Sequence, residues 1–126
     1  MSADKPKLEW TEIKGVSHLK FVFSQHLNAD DCRTVIAEWR QAFDERPGRE
    51  IPLIWEASSM KGYDSEARKM WQEAMSDMKD RIEVVWLVTD SSIVRMGASV
   101  MSMFSSTSIN VVKSEDEIAD RLSRRG

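Results

Sequence analysis

The run Ile82-Glu-Val-Val-Trp-Leu-Val88 is β-branched or aromatic and apolar at nearly every position, the pattern of an interior strand covered on both faces. Such a strand needs helices above and below it, and the chain alternates accordingly. Before it stands Ile51-Pro-Leu-Ile-Trp-Glu-Ala57, a strand in which Pro52 lacks a ladder donor and so belongs at the beginning. Ala67, Met70, Trp71, Ala74 and Met78 then recur at helical spacing, with Met75 at the margin. After it come Thr89-Asp-Ser-Ser92, a run of capping residues, and a third helix over 93–104 with a wide apolar girth. Ile109-Asn-Val-Val112 is a short last strand, and Ser114 with Glu117 opens a final helix carrying Ile118 and Leu122 inward. Successive strand, helix, strand units require right-handed crossovers, hence a largely parallel sheet.

The chain starts differently. Leu8, Trp10 and Glu12, then Leu19, Phe21 and Phe23, lie at every second position, with Lys14-Gly15 as a turn between them. A β-hairpin at one edge of the sheet follows, with Leu19, Phe21 and Phe23 inward and His18 facing outward. Asn28 caps a first helix with acids in its first turn, whose stripe is Cys32, Val35, Ile36, Trp39 and Phe43 and which ends at Arg46-Pro-Gly48. The element order is ββαβαβαβα, an α/β fold with a mostly parallel mixed sheet, expected to be one domain over residues 1–126.

At 126 residues the chain buries enough surface to fold without disulfides or a metal. Its single cysteine, Cys32, sits in a core stripe, and the first residues lack the apolar segment of a signal peptide. A cytoplasmic location is expected. Eighteen Lys and Arg against 21 Asp and Glu give a net of −3, with the signs interspersed, so nucleic acid is not an expected partner.

Enzyme chemistry finds little footing. With five glycines and no glycine-rich phosphate loop, nucleotide binding is disfavoured, and no cofactor is expected. His18 and His26 have no Cys or carboxylate at a spacing that completes a metal site. Ser58 and Ser59 follow a strand, but Ala57 and Met60 stand where a hydrolase elbow needs glycines. Glu56 and Asp64 flank the loop and can form an acid/base pair, although a cap at Asp64 and a solvated Glu56 explain both. No catalytic residue is assigned, and the expectation is a protein that is not an enzyme.

With this element order, and with the stretches from Trp55 to Tyr63 and Val85-Trp-Leu-Val-Thr-Asp-Ser-Ser92, the chain resembles the STAS fold of anti-sigma factor antagonists. It is more closely similar to the uncharacterised SpoIIAA-like proteins, which share that fold and are compared with CRAL-TRIO lipid-transfer domains. The antagonists carry Asp-Ser-Ser-Gly after this strand, and phosphorylation of the second serine breaks a complex with an anti-sigma kinase. Here Asp64 and Ser65 match, but Glu66 and Ala67 follow, so the phosphoacceptor position carries a standing negative charge. The resemblance implies either a lost switch or one moved to Ser65.

In open α/β sheets ligands bind where strand carboxyl ends meet helix N-termini, which points to the loop after the strand at Ile51. The expected site is a groove between the second and third helices, lined by Met75, Met78, Val94 and Met101, with Ser58, Ser59, Lys61, Tyr63, Asp64 and Ser65 at its polar end. The resemblance implies an apolar small molecule or lipid as occupant, with peripheral membrane contact. The alternative is a STAS-type regulatory module for an unknown protein partner. A methionine-rich helix also permits a homodimer.

Overall fold

The computed structural model describes residues 5–92, 94–96 and 107–125. The expected third helix therefore lies largely outside the described residues. Of it, Ser92 and Val94 to Met96 are helical, opened by Ser91, which accepts the Val94 N–H on Oγ and the Arg95 N–H on its carbonyl.

β1 (Lys7–Ile13) and β2 (Val16–Val22) form the N-terminal hairpin, and Lys14 and Gly15, at φ 53° and 77°, make the two-residue turn that matches strand twist. β3 (His26–Leu27) is a two-residue strand without a periodicity to announce it. α1 (Ala29–Asp44) starts at Asn28, whose side chain accepts the Asp31 N–H at 2.8 Å. Then come β4 (Ile51–Glu56), β5 (Gly62–Tyr63), α2 (Ser65–Met78) with a 3-10 turn at Lys79–Arg81, β6 (Ile82–Val88), β7 (Ile109–Val112) and α3 (Glu115–Arg125).

The five-stranded sheet runs β1-β2-β4-β6-β7, antiparallel in the hairpin and parallel thereafter. β6 is flanked on both sides, as its composition requires, while β4 takes the middle place. The β4–β6 register shifts between Ile51 and Leu53, where Pro52 has no N–H to donate. β3 and β5 pair in parallel as a separate two-stranded sheet.

α1 and α2 cover one face of the sheet. Their buried residues, Cys32, Val35, Trp39, Phe43, Ala67, Trp71, Ala74, Met75 and Met78, meet Leu19, Phe21, Leu53, Trp55, Val85 and Leu87. The α2 stripe is rotated from the expected one: Met75 is fully buried and Met70 only half so. At the centre, Trp71 contacts Phe21, Phe23, Trp39 and Trp55 at ring-centroid distances of 5.2 to 5.7 Å. α3 covers the opposite face through Ile118, over Ile54, Val84, Trp86, Val88 and Val112. Glu117 accepts the Lys113 N–H at 3.2 Å, one residue earlier than a capping box prescribes, and this bond holds its carboxyl below the usual range.

This second layer corrects the reading of His18 as a surface residue. The side chain is 1% exposed, because the hairpin's second face also lies under cover. Nδ1 lies 2.9 Å from the Val16 carbonyl, which can only accept, so Nδ1 carries the proton and Nε2 is a buried acceptor that has no partner among the described residues. Burial pushes the His18 pKa down, against smaller opposing effects of the Val16 bond and of Glu83 and Glu115.

Truncating Trp71 to alanine should cost about 3–5 kcal/mol in urea unfolding, since four aromatic neighbours lose their common partner. The lowered His18 pKa means that the unfolded chain binds its proton first as pH falls. The stability contributed by neutral His18 is thus present above its ordinary pKa of 6.5 and lost as pH drops below that toward the folded-state value. Urea midpoints at pH 7.5 and 5.5 should fall with acid in the parent and fall less in His18→Leu.

Candidate functional site

The carboxyl ends of β2, β4 and β6 come together at one pole of the sheet. The Phe23 N–H donates to the Glu56 carbonyl and the Ala57 N–H to that of Val88, both at 2.9 Å, so the ladder continues just past the strands. β4 then opens into residues 57–64. The Met60 N–H closes a turn onto the Ala57 carbonyl at 3.1 Å, and this turns the Met60 side chain into the interior. The remainder of the loop is strapped to the chain following β2. The Lys61 and Gly62 N–H groups both donate to the Gln25 carbonyl, at 2.7 and 3.3 Å, and the Asp64 N–H donates to that of Leu27 at 2.9 Å.

Under this strap lies a crevice of about 50 Å³, open to solvent on one side. Its walls are almost wholly apolar. Phe23, Trp55, Ala57 and Leu87 come from the strand ends, Leu27 and Tyr63 from the small sheet, and Met60, Trp71 and Val94 close the sides. Trp55, 4% exposed, Tyr63 and Trp71 are the wall residues whose side chains carry a nitrogen or oxygen, and among the described residues the buried Trp55 indole N–H has no acceptor.

Of the residues expected from sequence, Tyr63 and Val94 line this crevice. Val94 is buried against the core rather than turned away from it, and Met96, like Ser92 and Arg95, is exposed. Ser58, Ser59, Lys61, Asp64 and Ser65 are exposed on the strap and at the start of α2. Met75 and Met78 belong to the core beneath α2 and contribute nothing to the crevice walls. Met101 lies outside the described residues. Sequence reasoning passed over Phe23, Leu27, Trp55, Ala57, Met60, Trp71 and Leu87. Their shared signal is position, at or near strand ends converging on one pole.

The polar groups around the rim are engaged with one another. Glu56 accepts both the N–H and the hydroxyl of Ser58. Asp64 occupies the N-cap position of α2 but makes no side-chain cap bond, its carboxylate instead meeting His26 Nε2 at 2.7 Å. Glu56 and Asp64 thus serve different partners. Among the described residues, neither Ser58 nor Ser59 hydrogen-bonds a histidine, and no group of three His, Cys, Asp or Glu could hold a metal. Cys32 donates its thiol to the Ala67 carbonyl at 3.4 Å, and burial pushes its pKa up to about 12. No described helix is long and apolar enough to cross a membrane.

A family model described as SpoIIAA-like matches residues 18–119. Among solved structures, the chain is similar to an uncharacterised protein of the DUF3478 family with a SpoIIAA-like fold, from Shewanella loihica PV-4. The TM-score is 0.78 at 13% identity, covering 97% of this chain and 98% of that one. At that identity the likeness shows the fold alone. No curated protein matches the chain.

Cys32, the single cysteine, should behave as packing rather than as a nucleophile. Its labelling by a water-soluble disulfide reagent at pH 8 should be at least ~100-fold slower in the native protein than in urea, because the thiol is both buried and protonated.

Proposed function

As the chain belongs to the SpoIIAA-like family, we propose that it is a non-enzymatic binding module of one domain, taking a largely apolar small molecule or the acyl portion of a lipid. The observation that carries this reading is the apolar crevice at the carboxyl pole of the sheet, the place where open α/β folds bind their ligands. This puts the occupant under the strap, beside Tyr63 and Trp71, rather than between α2 and the helical segment after it.

Size sets a condition. About 50 Å³ holds the end of a chain, well below the roughly 300 Å³ of a full ligand pocket. A longer occupant must part the rim, and Met60, unbranched and adaptable, is the side chain able to yield. Ser58, Ser59 and Lys61, exposed beside the opening, would then meet the polar end or a membrane surface.

A second reading keeps the site and changes the occupant. The crevice fits one apolar side chain of a partner protein, and the exposed Met96 extends an apolar surface next to buried Val94. This is the STAS-type interaction module, with a homodimer as its simplest form.

Native mass spectrometry of untreated protein should show a co-purifying lipid, and a fluorescent fatty acid should be bound with a change in the emission of Trp55 and Trp71. Absence of both would overturn the ligand reading. Ala57→Val, which adds volume at the crevice wall, should weaken fatty acid binding while changing the urea unfolding free energy by less than about 1.5 kcal/mol. For the second reading, Tyr63→Ala should release a captured partner or, for a homodimer, shift sedimentation toward monomer.

A further inference from the structure

We propose that a polar cleft at the opposite pole, where strands β2, β4 and β6 begin, binds a small zwitterion: a molecule carrying a phosphate or carboxylate together with a protonated amine. The cleft encloses about 330 Å³, within the range of small-molecule sites, and lies between the hairpin turn and the segment joining α1 to β4. Arg46 and Arg49 line it, as do Glu50 and Glu83, with Trp10 and Ser17 completing the polar and aromatic walls. This site is independent of the apolar crevice.

The segment carrying the arginines is held in place from below. Arg81 donates through Nη2 to the carbonyls of Arg46 at 2.6 Å and Phe43 at 3.2 Å, and through Nε to that of Arg49 at 2.8 Å. Gly48 provides the left-handed residue, φ 80°, that the turn between them requires. The Arg46 guanidinium lies 3.8 Å from the centroid of the Trp10 ring, which fixes its plane and leaves its N–H groups directed sideways. A guanidinium oriented in this way offers a paired-donor edge to an oxyanion.

The charged groups of this cleft are not joined to one another: Arg46 stacks on Trp10, Glu83 acts on His18 through space, and Arg49, Glu50 and Glu83 are solvent-exposed. Among the described residues, the guanidinium groups of Arg46 and Arg49 have no hydrogen-bond acceptor, and the carboxylates of Glu50 and Glu83 have no donor. No ion pair joins the two signs across the space. A simple anion would find two carboxylates facing it, and a simple cation two guanidinium groups. Only a ligand bearing both charges meets an opposite on each side, so the wall composition selects a zwitterion over either ion alone.

The test is an NMR titration of the full chain with O-phosphoethanolamine, inorganic phosphate and ethanolamine in parallel. Saturable shifts at the Trp10 indole, Ser17 and the amides of 46–52 are expected with phosphoethanolamine, with phosphate and ethanolamine each at least ~10-fold weaker. Arg46→Gln and Arg49→Gln should each lower phosphoethanolamine affinity by about tenfold, as each removes a charge-assisted bond. Glu83→Gln should weaken phosphoethanolamine and strengthen phosphate, a crossing that general loss of structure cannot produce. Ala57→Val should leave all of these titrations unchanged, which separates this site from the crevice. Cosedimentation with phosphatidylcholine vesicles that rises with phosphatidylethanolamine content and is lost in Arg46→Gln would identify the source as a lipid headgroup. Binding of the soluble compound without it would identify a free metabolite. Absence of saturable shifts, equal binding of phosphate, or unaltered binding in both arginine variants would overturn the proposal.

Discussion

The packing of Trp71 against four aromatic neighbours is the contact on which the rest of the molecule depends. It joins α2 to β2 through Phe21 and Phe23, to α1 through Trp39 and to β4 through Trp55. Edge-to-face contacts of this kind contribute beyond the area they bury, and they fix angles as well as distances. Trp71 and Trp55 also form walls of the crevice, so the group that holds the helical layer on the sheet is the same one that shapes the apolar site. Substitutions there alter the core and the crevice walls together.

Polar groups follow a division of labour across the two poles. At the carboxyl pole, Glu56 bonds Ser58 and Asp64 meets His26, and the space enclosed is apolar. At the amino pole, Arg81 braces the turn through carbonyls, and among the described residues no ion pair joins the charged side chains that line the cleft. One sheet therefore has two openings of opposite lining, each where strands end or begin and backbone groups run out of ladder partners.

Most of the fold was legible in the sequence because the long elements carry their own periods. β7 was read at its observed bounds, and the α1 stripe at Cys32, Val35, Trp39 and Phe43 is the buried one. What escaped had no local signal. β3 and β5 are two residues each, too short for alternation to register. His18 was placed outside because period-2 reading assigns one face to solvent, and only the docking of α3 shows that both faces are covered. The crevice escaped for a related reason: Phe23, Leu87 and Trp71 look like any other core residues until three strands are seen to end around a gap. Met75 and Met78 carried the opposite error of emphasis, since adaptable side chains suggest an open surface while helical phase places them within.

The parallel pairing of β3 with β5 has a consequence for how such chains can vary. It pins His26 to Gly62 and Leu27 to Tyr63, so the connection between β4 and α2 is anchored before the helix begins. Extra residues inserted between the exposed Ser58 and Ser59 would lengthen the turn that sets Met60 and leave the anchor standing. A single insertion between Tyr63 and Asp64 would instead separate the pinned pair from the helix it introduces, and the covering of the crevice would lose its alignment with Trp71. An added residue is therefore tolerated ahead of the anchor, beside the crevice entrance, and not behind it.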